Sequence, residues 1–261
     1  MYLSLLMIDV GDNPDRPRPG RLWLRNLYHV HQRLCMAFPS EKRKSSDPDF
    51  IMPFDPKDFG CRVDSDGSGK QVHVERKDDA GFLFRIDPQR NIDPKRGSRA
   101  MIIVQSSEKP DWDYAFHNAG FFLAAPPEVK PFDPRFAKGR HFRFRLMAYP
   151  TKRDIKSGKR VSVRTDQLRQ WFESKADIGG FRVERLTDLQ AGYVNFRKRD
   201  NAGKRDDAGK LRSARFEGVL EVTDPDDFRR TLAKGIGPGK AFGFGLLSVT
   251  TVDLLSPEAA T

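Results

Sequence analysis

The sequence predicts an α+β fold: two tandem domains, 1–150 and 151–261, each in the β-α-β-β-α-β order of ferredoxin-like folds, with a long insertion in the first. Three observations predict it. Segments with the two-residue alternation of strands bracket stretches with the 3.6-residue repeat of helices, in a similar order in each half. A basic, turn-rich joint, Pro150 to Gly158, separates the halves. The 261 residues, 38% hydrophobic and with 20 Phe, suffice to fill real cores.

Tyr2 to Val10 is apolar and reads as a buried first strand. Asp12 to Gly20 holds three prolines and reads as a surface loop. From Asn26 the pattern turns helical, with Leu27, Val30, Leu34 and Phe38 on one apolar stripe and Pro39 ending it. Residues 40 to 70 are charged, rich in Pro, Asp and Ser, and read as an irregular insertion. Val72 to Glu75, Gly81 to Ile86 and Met101 to Gln105 are strand-like, and Trp112 to Phe122 reads as a short helix or covering loop. His141 to Ala148 alternates strongly, as in a half-exposed strand with basic residues on its open face.

Beyond the joint come a short strand (Arg160 to Arg164), a helix (Asp166 to Ala176, with Trp171 and Phe172 in the core) and a strand from Phe181. A long hairpin follows, Tyr193 to Lys198 going up and Leu211 to Val222 returning. Asp224-Pro225 has the residue types of an N-cap and first helical position, so a helix runs to Ala233. A last strand spans Phe242 to Val249.

Composition narrows the partners. Lys and Arg number 47 against 36 Asp and Glu, a net charge of +11, which attracts nucleic acid where it is clustered. Cys35 and Cys61 fit neither a zinc pattern nor a disulfide framework, which points to a reducing compartment and a cytoplasmic protein. The opening Met1 to Asp9 lacks a basic flank and is too short for a signal peptide or a span, so no membrane partner is expected.

Gly235 to Ser248 is the densest signal, with five glycines in eleven residues. Such density means positive φ or a very close approach. It is not a Walker A loop: Gly235 and Gly239 are three residues apart, and Ala241 follows Lys240. Nor is it a dinucleotide fingerprint, because Phe242 stands at its third glycine. Two readings stay open. One is a glycine-bent strand packed on a helix; the other lays the backbone around Lys240, Gly243 and Gly245 against a polyanion.

Chemistry has one focus in the first helix. At about 100° per residue Tyr28 and His31 share a face, and His29 points away. A His exchanges protons near neutral pH, and a Tyr three residues away can orient the same phosphodiester. A helical His is more often a surface or capping residue. No metal site is expected: His29 and His31 cannot share a face, no HExxH occurs, and Asp111-Trp-Asp113 is a two-residue coincidence. Neither Cys35 nor Cys61 has the local context of a nucleophile, and no serine has a glycine-flanked elbow. The hairpin supplies a basic ribbon: Arg197, Lys198, Arg199, Lys204 and Lys210 flank its tip, suited to phosphates, or equally to keeping a hairpin solvated.

Four separated blocks resemble one family. They are Leu27-Tyr-His-Val-His-Gln-Arg-Leu34 after a Met-Tyr-Leu-Ser start, Arg143-Phe-Arg-Leu-Met-Ala-Tyr-Pro-Thr-Lys-Arg153, Phe216-Glu-Gly-Val-Leu-Glu-Val222, and Gly235 through Ser248. Their residues and order are similar to the CasE-type CRISPR repeat endoribonucleases, the type I-E crRNA-processing subunits of Cascade. Residues 11 to 25 and about 40 to 100 match poorly and read as insertions. The resemblance implies two ferredoxin-like (RRM-like) domains and metal-independent, cofactor-free cleavage at the base of a CRISPR repeat stem-loop. It further implies retention of the product with other Cascade subunits. On the family pattern Tyr28 and His31 are the catalytic pair. Arg33 stands in for a lysine that completes the site in some relatives. The alternative is a non-catalytic structured-RNA-binding subunit of a ribonucleoprotein complex.

Overall fold

The computed structural model describes residues 1–11, 18–55, 58–59, 61–63, 69–71, 81–89, 99–199 and 206–252. The opening apolar run is β1 (Tyr2–Asp9), with Ser4, Leu6 and Ile8 buried on one face by the two-residue period. It lies between β5 (Arg99–Ser106) and β6 (Glu128–Pro131), and β4 (Phe82–Gln89) flanks β5. All pairings in this sheet are antiparallel, with Leu6 opposite Ile102 and Phe84 opposite Val104. Counting only these four strands along the chain, the sheet order is second-third-first-fourth.

Helices cover the face that buries Leu6, Ile8, Phe82 and Phe84. Helix α1 (Pro19–Leu24) begins in the stretch expected to be a loop, because proline's fixed φ suits the first helical turn. Helix α2 (Leu27–Cys35) starts where Asn26 accepts the Tyr28 N–H at 3.2 Å. Helix α4 (Trp112–Phe116) is capped by Asp111, which accepts the Tyr114 N–H and receives Lys44 Nζ at 2.5 Å. That accounts for one of the two carboxylates of the Asp-Trp-Asp sequence.

Part of the expected irregular insertion is regular. Ser40 caps α3 (Glu41–Ser46), and β2 (Cys61–Val63) pairs with β3 (Gly69–Gln71). One buried cation ties α3 to the segment that follows it. Arg43 donates to Asp47 at 2.8 Å, to Asp58 at 3.0 Å and to the carbonyls of Met52 and Pro53, and it lies 4.9 Å from the Phe59 ring centroid. Tyr114 Oη donates to the Asp47 carbonyl. A polar segment thus organises around charge, which an apolar-periodicity reading does not register. The expected strand Val72 to Glu75 lies outside the described residues.

The second sheet has the order β10 (Phe181–Arg199), β11 (Asp206–Val222), β7 (His141–Ala148), β12 (Leu247–Thr251), again second-third-first-fourth along the chain. Its core face is packed by α5 (Leu168–Ile178) and α6 (Pro225–Lys234), through Trp171, Phe172, Phe216 and Phe228. Asp224 accepts the N–H groups of Asp226 and Asp227, the cap expected before Pro225.

The expected boundary at residue 150 moves. His141–Ala148 is a central strand of the second sheet, and the joint is a hairpin of β8 (Thr151–Arg153) with β9 (Arg160–Ser162). The chain divides into two units: Met1–Asp133 with Asn195–Leu211 and Lys240–Gly243, and Pro134–Val194 with Arg212–Gly239 and Phe244–Thr261. Among the described residues no helix is long and apolar enough to cross a membrane.

The Arg43 cluster sets an acid limit on stability. Burial raises the Asp47 carboxyl, but the N–H groups of Ile51 and Met52 and the Arg43 guanidinium outweigh it and hold it below the ordinary range. A depressed carboxyl contributes stability above its unfolded pKa, about 3.9, and loses it as pH falls through the folded value. Asp47→Asn is expected to lower Tm at pH 7 and to flatten the decline of Tm below about pH 4. Arg43→Leu, which strands Asp47, is expected to cost about 3–5 kcal/mol in urea unfolding.

Candidate functional site

Helix α2 turns Val30, His31, Leu34 and Cys35 inward and leaves His29 exposed. Tyr28 lies on the His31 side, half-buried, with ring centroids 6.4 Å apart. The three-residue spacing therefore brings the expected pair together. His31 is more enclosed than a surface histidine, only 5% exposed. Its ring faces Phe82 at 5.4 Å and stacks on Phe84 at 6.3 Å and 15°. Phe82 and Phe84 are two apart on β4, so both project from one face.

Cys35 meets His31 from the next helical turn, Sγ to Nε2 at 3.7 Å. Either group can donate, depending on the imidazole tautomer. The sequence reading, which weighed Cys35 only as a nucleophile, did not register this contact. The i, i+4 spacing of His31 and Cys35 is the signal that would have found it. Cys35 is 2% exposed, behind the imidazole, so its sulfur partners the ring and does not face a substrate.

The glycine-rich segment reaches the same helix. Lys240–Phe242 forms a 3-10 turn packed on α2 and on β4, and half-buried Lys240 opens it. Gly235, Gly237, Gly239, Gly243 and Gly245 all have positive φ, the conformational half of the expectation. For Gly243 and Gly245 the close approach includes atoms of this chain. Both are buried. A Cβ on Gly243 would stand 3.2 Å from the Phe84 ring, and one on Gly245 2.9 Å from the Ile236 carbonyl oxygen. Gly245 also donates to the Met147 carbonyl and accepts the Ile236 N–H. Close packing within the chain by itself requires glycine at both positions.

Arg33 does not join His31. Two positions beyond His31 it faces elsewhere, donating to the Ala115 carbonyl at 2.9 Å and Asn118 Oδ1 at 3.1 Å, 5.4 Å from the Phe50 ring centroid. Burial lowers its pKa from the ordinary arginine value. It braces α2 against the end of α4. Arg197, Lys198 and Arg199 end β10, and exposed Lys210 lies on β11; this end of the hairpin, Asn195–Leu211, belongs to the same unit as α2. The side chains of Arg197, Lys198 and Arg199, and all of Lys204, lie outside the described residues.

One set of possible metal ligands gathers among the described residues. His141, Glu184 and Glu221 on the second sheet bring their ligand atoms within 4.8 Å of one another. Arg182 already pairs with both glutamates. A cation there would compete with a guanidinium for the same oxygens.

A family profile described as CRISPR associated protein matches residues 1–251. The chain is 38% identical over 178 residues to the CRISPR-associated endoribonuclease Cse3 of Thermus thermophilus, spanning 64% of this chain and 79% of that one. It is 24% identical over 265 residues to the CRISPR system Cascade subunit CasE of Escherichia coli, 95% and 98% of the two chains. Among solved structures, the endoribonuclease Cse3 bound to a 19-nucleotide RNA superposes with a TM-score of 0.65 at 29% identity, over 96% of this chain and 100% of that one.

Gly243→Ala and Gly245→Ala are each expected to lose roughly 1–3 kcal/mol in urea unfolding, since both meet atoms of this chain at positive φ. Weaker RNA binding at unchanged stability would instead return these glycines to an RNA contact.

Proposed function

The chain belongs to the CRISPR associated protein family, and on that premise we propose that it is an endoribonuclease cutting CRISPR precursor RNA at the base of the repeat stem-loop. The relatives' names and the RNA-bound neighbour support the substrate class. The observation that carries the chemistry is the pairing of Tyr28 with His31 on one face of α2. In this reading the 2′-hydroxyl beside the scissile phosphate attacks its own phosphorus. Its proton leaves, the new O–P bond forms, the bond from phosphorus to the 5′-oxygen breaks, and that oxygen takes a proton. The products are a 2′,3′-cyclic phosphate and a 5′-hydroxyl. His31 moves one of these protons, as base or acid, and Tyr28 orients the nucleophile. Cys35 and the Phe82–Phe84 wall hold the imidazole's plane. The nucleophile belongs to the RNA, so the step proceeds without a divalent metal.

The finer architecture supports the same reading. Both sheets share one strand order with helices after the first and third strands, which suits tandem ferredoxin-like domains, the first ending near residue 133. The basic hairpin grips the RNA stem through Arg197, Lys198, Arg199, Lys204 and Lys210, with Lys240 near α2. Contacts concentrated on the stem keep the stem-containing product bound, as suits a chain that, like its Escherichia coli relative, serves in Cascade. A second reading, a structured-RNA-binding subunit without catalysis, draws on the 5% exposure of His31.

His31→Ala is expected to slow single-turnover cleavage of labelled repeat RNA by about 10²–10⁴ in EDTA, with little change in affinity. His29→Ala should leave both nearly intact. Cleavage by His31→Ala at the wild-type rate would favour a different catalytic group; no cleavage by the wild type would favour the binding subunit. Neutralising Arg197, Lys198 and Arg199 together is expected to weaken binding and flatten its log–log salt dependence by roughly one unit per lost phosphate contact. An unchanged slope returns the hairpin to a solvated role.

A further inference from the structure

The basic ribbon of the hairpin begins one residue after an aromatic anchor. Phe196, half-buried on β10, meets Phe242 with ring centroids 5.0 Å apart and planes at 51°. From the returning strand, Gly209 leaves room for that ring: a Cβ there would stand 2.8 Å from a Phe196 ring carbon. Phe242 sits on the 3-10 turn that packs against α2 and β4. The next residue, Gly243, lies against Phe84, whose ring stacks on His31. A run of packing contacts, two rings, the Gly243 backbone and a third ring, thus links the hairpin to the imidazole, all within one compact unit.

We propose that Phe196 and Phe242 form a positioning latch that sets the register of the hairpin against α2 and so determines which phosphate meets His31. The proposal rests on the endonuclease reading. Arg197 directly follows Phe196, so displacing the ring displaces the cations that hold the stem. Interdigitated rings have few alternative arrangements, whereas a two-stranded ribbon alone bends and twists freely. Gripping RNA requires only the charges; cutting at one bond also requires that the grip and the imidazole keep a constant separation. Neither phenylalanine touches substrate in this scheme. Both act through the elements they join.

The test uses the full chain with enzyme in excess over end-labelled repeat stem-loop RNA. Phe196→Ala, Phe242→Ala, the double variant and Phe242→Leu are compared for half-saturating concentration, single-turnover rate and product length. Gly209→Ala, which crowds the Phe196 ring without removing it, is a further probe, and thermal melts establish that each variant is folded. The latch predicts nearly unchanged binding, cleavage slowed about 10²-fold and new cuts at neighbouring phosphates. It also predicts a double variant no worse than either single one, and substantial recovery with leucine at 242. Folded alanine variants that cut at the wild-type rate and position would overturn the latch and leave the endonuclease reading standing. So would equal losses of binding and rate with no change in product length. A wild-type protein that cuts no RNA would overturn the endonuclease reading and the latch with it.

Discussion

The Phe84 ring is the contact on which the site depends. One side of its environment is the imidazole of His31, stacked at 15°; another is Gly243, whose missing Cβ lets the 3-10 turn settle against it. A larger residue at 243 would push on the same ring that walls the histidine. The glycine-rich segment and the histidine helix are far apart in sequence, yet they are parts of one packing problem. Interiors are close-packed, so a shift of one ring is passed to its neighbours. His31 is therefore held by Phe82, Phe84 and Cys35 before any substrate arrives, and such preorganisation suits the proton transfer proposed for it.

Electrostatics divides the surfaces in a complementary way. A net charge of +11 says nothing about where the excess lies. On the second sheet, arginines are matched strand by strand: Arg145 with Glu217, Arg215 with Asp188 and Glu217, and Arg182 with Glu184 and Glu221. Exposed pairs of this kind contribute little stability but cancel the local field. In the first unit, Arg43 is enclosed by Asp47 and Asp58, and Lys44 pairs with Asp111. Cations engaged in this way contribute less to attracting a polyanion; in the sequence, Arg197, Lys198 and Arg199 form the densest basic stretch of the hairpin.

Features governed by local chemistry were legible in the sequence. The Asp224 cap, the alternation of His141 to Ala148, the core positions of Trp171 and Phe172, and the common face of Tyr28 and His31 all follow from periods of 2 and 3.6 or from capping. Features governed by long-range packing were not. His141–Ala148 reads equally well in either domain, and only its neighbours β11 and β12 assign it to the second sheet. Arg43 lies in a charged stretch without periodicity, and its burial depends on Asp58 and Tyr114 closing around it. Gly243 and Gly245 announce positive φ, but the atoms that require them, Phe84 and the Ile236 carbonyl, are remote or on another turn. Arg33 entered the candidate site through the family resemblance, and its contacts with Ala115 and Asn118 were not legible from its place two residues after His31.

The central claim is that the RNA supplies its own nucleophile to a site whose proton chemistry runs through His31. A repeat stem-loop carrying a single 2′-deoxy sugar at the scissile position tests it most directly, with wild-type protein in EDTA. Binding equal to that of the all-ribose RNA and no cleavage are expected, while the all-ribose control is cut to a 2′,3′-cyclic phosphate. Cleavage of the deoxy substrate would contradict it, because a nucleophile other than the 2′-hydroxyl would then be at work.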